Sequence, residues 1–152
     1  MTATFCVFNR TRESFLCLRA TSAATTASAD FFSALAESWP EPPKLAYEDG
    51  IWHMRSPGVY TVGRLFPVDR IYLDQENRVV QLIEHLDPLQ IVPVRCRYAS
   101  IVEARVRTIY SSRTRVGDEL LICLPEEIQT QWEELQVRGS WMRQEVLQCS
   151  KG

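Results

Sequence analysis

Asp69 follows Phe66-Pro67-Val68 and opens an apolar run, which makes it the residue whose type and place most directly permit acid–base chemistry. A carboxylate at such a strand entry serves as a general base or ligand contact; alternatively it accepts backbone N–H groups and fixes the turn. The sequence leaves both readings open. Tyr60 and Arg64 stand four residues apart around Gly63. A guanidinium fork beside a phenol suits an anion, while an Arg64 to Asp69 ion pair that only holds the loop is the alternative. Glu103 shares a strand face with Arg105 and Arg107, opposite Val102, Ala104 and Val106, and is a second acid–base candidate. With Arg95, Arg97, Arg113 and Arg115 in neighbouring segments, those arginines either form a cationic stripe for phosphates or guard solvated strand edges; edge protection is the favoured reading. His53 and His85 lie 32 residues apart with no metal-ligand spacing around them, so packing or surface hydrogen bonding is expected and no metal or cofactor.

The elements that must position these residues are bounded by composition. The chain has 152 residues, 45% hydrophobic and 24% charged, values of an ordinary folded domain with one core. Of 17 basic residues 15 are arginine, and with 19 acidic residues the net charge is −2, which argues against a dedicated polyanion binder. Residues 51–120 nevertheless hold ten arginines against eight acidic residues, so the positive surplus is local. Five cysteines, odd in number and without a C-x-x-C pair, imply free thiols rather than a disulfide framework or zinc site. The N-terminal apolar stretch ends at Asn9 with no basic region before it, and no apolar run nears the ~20 residues of a membrane span, so a cytoplasmic location is expected.

Phe5–Phe8 and Phe15–Leu18 read as a hairpin, and Ser28 offers an N-cap to a short helix through Phe31, Phe32, Leu35 and Ala36. From Ile51 to Leu124 the chain reads as strand after strand, with turns at Ser56-Pro57-Gly58, Asp74–Asn77, Asp87-Pro88 and Val116-Gly117-Asp118. Ile101–Tyr110 alternates as one strand, and Ile71–Leu73 and Leu120–Leu124, apolar on both parities, are expected to be central. Pro125-Glu126-Glu127 starts a terminal helix bearing Ile128, Trp132 and Leu135. That helix is either a cover for the core or the contact of a dimer.

The segment Gly50-Ile-Trp52-His-Met-Arg-Ser-Pro-Gly-Val-Tyr60-Thr61-Val-Gly63-Arg64-Leu-Phe66-Pro67-Val68-Asp69, running on to Asp74, resembles the hallmark of the bacterial and archaeal family called domain of unknown function 192. The hallmark reads G-L-W-I-x-P-C-x-S-I-H-T-F-G-M-x-F-P-I-D. Asn9-Arg10-Thr11-Arg12, the Leu86-x-Pro88 turn, Ser100–Glu103 and Thr114-Arg115-Val116-Gly117-Asp118 are similar to the family in order and spacing. The resemblance covers Asn9–Leu124 and implies a mainly β, single-domain sandwich or jelly-roll-like barrel, residues 1–124, with one short helix packed on it. Residues 125–152 form a helical extension outside it. The family's proline and cysteine are Arg55 and Ser56 here, its histidine is Tyr60 and its methionine is Arg64, so a nucleophile–base pair built on that Cys and His is absent.

The resulting expectation is a small binding or accessory module without catalysis of its own, its candidate ligand contacts being Trp52, Ser56, Tyr60, Arg64, Asp69 and Glu103. An enzyme using Asp69 or Glu103, with Arg64 on an anionic group, is one alternative, and a weak nucleic-acid binder through the core arginines is the other. A small molecule or protein is the expected partner, nucleic acid a minor one, and a membrane none; the state is monomer or a dimer through the terminal helix.

Overall fold

The β-forming runs at the N-terminus pair as their composition predicts: β1 (Thr4–Asn9) and β2 (Ser14–Ala24) form an antiparallel hairpin. The computed structural model describes residues 3–24, 48–54, 67–87, 90, 94–131 and 133–134. Further along are β3 (Asp49–Met54), β4 (Val68–Leu73), β5 (Val79–Leu86), β6 (Ser100–Arg105), α1 (Thr108–Ser112), β7 (Leu120–Cys123) and a helical stretch at 125–131, α2. The seven strands among the described residues belong to one curled sheet in the order β5-β4-β6-β3-β2-β1-β7. The mainly β architecture expected from the sequence is therefore present. The predicted helix near Ser28–Ala36 and the Ser56-Pro57-Gly58 turn lie outside the described residues.

Only β2 and β3 run parallel; the other neighbours are antiparallel. The curl brings the sheet's two ends together at one corner, where Arg78 bridges Glu119. There the Val79 N–H donates to Asp118 O at 2.8 Å, the Gly117 N–H to Val79 O at 2.8 Å and the Leu120 N–H to Asn77 O at 2.9 Å. Gly117 turns this corner at φ +94°, a conformation that favours glycine. Partial closure satisfies backbone groups that an open sheet edge would leave to water.

Strand alternation divides the side chains between two faces. The inner face carries Val7, Leu16, Ala20, Ile71, Leu73, Val102, Ala104 and Leu120, which form one core with Val79 and with Ile109 of α1. The outer face of β4 and β6 holds a second cluster, Tyr72, Leu86 and Ile101, with Val94 and Tyr98 against it. Across the inner face runs a row of small residues, Ala20, Gly50 and Ala104, on three adjacent strands. A Cβ on Gly50 would collide with the Cys17 sulfur and stand 3.0 Å from Glu103 O, so glycine here is required by the close approach of β2 and β6.

Three expectations are corrected. The strand predicted over Ile101–Tyr110 stops at Arg105, and the chain turns through Val106 and Arg107 into α1. Arg107 at φ 74° leaves the extended region, and beyond it Thr108, Ile109 and Ser112 turn inward at helical rather than alternating spacing. Leu120–Leu124 is not central: β7 ends the strand order, paired to β1 along one side, and Leu121 and Ile122 are only half-buried. The arginines do not guard an edge along β6, which lies between β4 and β3; Arg105 is at its exposed end and Arg107 begins α1. The Pro125 helix start holds: the Leu124 N–H donates to Glu127 Oε2 at 3.1 Å, the reciprocal half of a capping box. Cys6, Cys17, Cys96 and Cys123 are free thiols. Among the described residues no helix is long and apolar enough to cross a membrane.

Candidate functional site

The two described ends of the hallmark segment are β3 and β4, which flank β6 on either side. Trp52 and His53 lie on β3, Asp69 and Arg70 on β4, and Glu103 on β6 between them. Ser56, Tyr60 and Arg64 lie outside the described residues, and so does an ion pair from Arg64 to Asp69.

Asp69 is fully buried, and its surroundings follow from an irregularity in β5. Val68 pairs with Leu86 and Arg70 with Ile83, so Glu84 and His85 together oppose Asp69, the two-against-one pattern of a β-bulge. His85 adopts φ 50°, and its N–H, displaced from the ladder, donates to Asp69 Oδ1 at 2.9 Å. The other carboxylate oxygen, Oδ2, accepts the Ile109 N–H at 2.9 Å. Ile109 is in the first turn of α1, whose N-cap residue Arg107 contributes no side-chain cap. Asp69 thus caps from another strand a helix that cannot cap itself, and its charge lies where the helix end favours an anion. Of the two sequence readings, the carboxylate that accepts backbone N–H groups is the one this geometry matches.

Glu103 points the other way. Its register partner on β4 is Arg70, whose Nη2 stands 3.2 Å from Glu103 Oε1. Both side chains are buried, 3% and 5% exposed, so the pair is held out of water. His53 approaches the same oxygen from β3, with Nε2 at 2.9 Å, close but poorly aligned for a hydrogen bond. Tyr72 completes the group: its hydroxyl is 3.5 Å from Arg70 Nη1, and its ring meets Tyr98 edge-on at 5.1 Å. Burial raises the Tyr72 phenol above its ordinary pKa, and the Arg70 guanidinium only partly opposes this. Sequence reasoning found Glu103 but missed Arg70 and Tyr72 and read His53 as packing or surface hydrogen bonding. A readable signal was present, an arginine inside the apolar run Val68–Leu73.

Three ring nitrogens on β3 are shut off from solvent and meet no aligned hydrogen-bond partner among the described residues: Trp52 Nε1, His53 Nδ1 and His53 Nε2, the last of which faces Glu103 Oε1. The two rings sit on opposite faces, since successive strand residues alternate. Trp52 packs against the inner core and meets Phe5 edge-on at 5.2 Å. Buried indole and imidazole nitrogens are ordinarily paired, and among the described residues those at the end of β3 are not, on either side of the sheet. A separate cavity of about 160 Å³ is lined by Phe15, Leu16, Leu18 and Glu48 and includes none of the predicted contacts. Among the described residues no group of three or more metal-ligating side chains is present.

The first and last of the motifs that carry the resemblance, Asn9–Arg12 and Thr114–Asp118, meet in space. Asn9 Nδ2 donates to Thr114 Oγ1 at 3.1 Å and to Asp118 Oδ2 at 3.0 Å. Arg12 Nε and the Arg115 N–H also donate to Asp118 Oδ2, at 3.0 and 2.9 Å. Burial alone would raise the Asp118 pKa, but hydrogen bonds from Arg12, Asn9 and Arg115 outweigh it and the carboxyl lies below its ordinary range. This network ties the β1–β2 turn to the corner where the sheet closes.

No family model matches the chain, and no curated protein matches it. Two solved structures do. A protein of unknown function from Novosphingobium aromaticivorans DSM 12444 is 17% identical, with TM-score 0.59 over 79% of this chain and 84% of its own. A "putative transcription regulator" from Sinorhizobium meliloti 1021 is 12% identical, with TM-score 0.58 over 80% of this chain and 94% of its own. At these identities the likeness is one of fold.

Proposed function

We propose that this chain is a small binding module, a divergent member of the family called domain of unknown function 192, that recognises its ligand through the stretch from Trp52 to Asp69 and performs no catalysis of its own. The observation that carries this reading is that two ring nitrogens at the start of that stretch, Trp52 Nε1 and His53 Nδ1, meet no hydrogen-bond partner among the described residues. A ligand offering an acceptor to the indole or a donor to the imidazole would satisfy groups that no described residue pairs with. The carboxylates favour binding over catalysis: Asp69 holds two backbone N–H groups, and Glu103 holds Arg70 on the opposite face. A shared acid–base site would need the two to converge. The meeting of Asn9–Arg12 with Thr114–Asp118 supports the family reading, because two similar motifs about a hundred residues apart form one network.

The test is an indole N–H spectrum of ¹⁵N-labelled protein, with the Trp52 signal assigned by Trp52→Phe. Carboxylates, inorganic phosphate, nucleoside monophosphates and short peptides are titrated in turn. One class is expected to shift the Trp52 signal saturably. A shift with none of them, or substrate turnover that disappears in a folded Asp69→Ala variant, overturns the proposal.

A further inference from the structure

The stretch from Arg105 to Gly117 contains four arginines and no acidic residue, although the chain as a whole carries a net charge of −2. In the fold this stretch becomes the end of β6, α1 and the turn that follows, and it is exposed at Arg105, Arg107, Tyr110, Arg113, Arg115 and Val116. The buried acids beside it are engaged: Asp69 by Ile109 N, and Asp118 by Asn9, Arg12 and Arg115 N. Glu119 pairs with Arg10. Among the described residues Arg107, Arg113 and Arg115 form no ion pair, and neither does Glu13, exposed on the neighbouring β1–β2 turn. Their charge faces solvent.

Two further features set this patch apart from a merely solvated surface. Tyr110 is 72% exposed, and the Arg107 guanidinium lies over its ring, 5.5 Å from the centroid. One ring face is thus backed by a cation while most of the side chain remains open. Arg107 and Arg113 bracket α1 in the left-handed backbone region, at φ 74° and 57°. Glycine fits that region without steric cost, and arginine does not. Arginine at both positions disfavours the local backbone and retains a cation at each end of the helix that bears the exposed ring.

We propose that this face binds single-stranded nucleic acid, with Tyr110 stacking on a base and Arg107, Arg113 and Arg115 holding phosphates. Guanidinium groups match phosphate oxygens in a bidentate fork, and an aromatic face accepts any base, the combination that single-strand binding surfaces use. Duplex reading is disfavoured, because α1 is five residues, about 8 Å at the helical rise, too short to lie along a major groove. An acidic polypeptide would use the arginines but would leave the tyrosine ring without its partner. The surface is separate from the stretch between Trp52 and Asp69, so its failure and that of the binding-module reading are independent.

The experiment is fluorescence anisotropy of labelled oligo(U) and oligo(dT), each about 12 nucleotides long, with the full chain at low salt. Binding is expected to weaken with salt at a log–log slope of about −2, the value for three phosphates on a single strand. Tyr110→Ala is expected to lower affinity about tenfold, within the measured range for one stacked base. Arg107→Gly and Arg113→Gly suit the local backbone, so these variants stay folded, and each is expected to flatten the slope by about 0.7. No anisotropy change at low salt overturns the proposal. So does equal binding of a duplex of the same sequence, or a labelled polyglutamate that binds as tightly as the strands and is indifferent to Tyr110→Ala.

Discussion

Asp69 of β4 pairs in register with Ala104, and Arg70 with Glu103, so the Asp69 and Glu103 carboxylates point to opposite faces of one sheet. The separation assigns them different work. Asp69 joins the β5 bulge to α1 beneath the inner core, and Glu103 balances Arg70 on the outer face. Asp69→Ala leaves the His85 and Ile109 N–H groups without an acceptor. A loss of about 2–6 kcal/mol is expected in urea unfolding, one desolvation penalty for each orphaned donor. Hydrogen exchange should localise the effect, with the Ile109 and His85 amides losing protection more than those of β1.

The buried Arg70–Glu103 pair makes a second, opposite kind of prediction. Removing one member strands a charge out of water, so Glu103→Ala and Arg70→Ala are each expected to cost about 3–5 kcal/mol. Replacing both, as Arg70→Met with Glu103→Leu, removes the stranded charge and should cost much less than the sum of the two alanine variants. Denaturant melts of these variants check it. Additive losses would mean that the two side chains act independently, despite the 3.2 Å between Nη2 and Oε1.

Asp118 gives the protein a predicted acid sensitivity. Its carboxyl titrates below the ordinary 3.8, so the ionised form stabilises the native state. That contribution is complete above the unfolded value and is lost as pH falls through the folded one, where native Asp118 finally takes up a proton. Stability measured from pH 5 down to pH 2 should therefore fall more steeply in the wild type than in Asp118→Asn. The variant starts lower, because an amide presents Asn9 and Arg12 with a poorer acceptor.

The hairpin at Asn9–Ser14, the turn at Asp74–Asn77 and the helix start at Pro125 were readable because each is decided by residues within a few positions of one another. Asp69 was readable as a significant carboxylate, but its role was not. That role depends on a bulge at His85, 16 residues ahead, and on the uncapped start of α1, 40 residues ahead. Likewise Glu103 was placed on the polar side of an alternating strand, whereas β6 proves central, and the polar side is buried against Arg70. Alternation gives the face a side chain occupies; strand order decides whether water reaches that face. Ser56, Tyr60 and Arg64 lie outside the described residues.

Gly50 and Cys17 provide the sharpest test of how tightly the inner face is packed. A methyl group on Gly50 meets the Cys17 sulfur first and the Glu103 carbonyl next, so Gly50→Ala is expected to cost about 1–3 kcal/mol through overpacking. Cys17→Ala removes the colliding sulfur while leaving a small void of its own, and the double variant should be more stable than the two single losses predict by at least about 1 kcal/mol. The same enclosure sets the thiol's chemistry. Burial foremost, with the nearby Asp49 carboxylate and Cys6, pushes the Cys17 pKa up to about 12. At neutral pH it stays a protonated thiol and should resist alkylation in the native protein, reacting only at the rate of unfolding. Mass-spectrometric footprinting with iodoacetamide checks both ideas at once: faster labelling of Cys17 in Gly50→Ala than in the wild type is the expected result, since the added methyl forces β2 away from β3 and opens the enclosure around the sulfur.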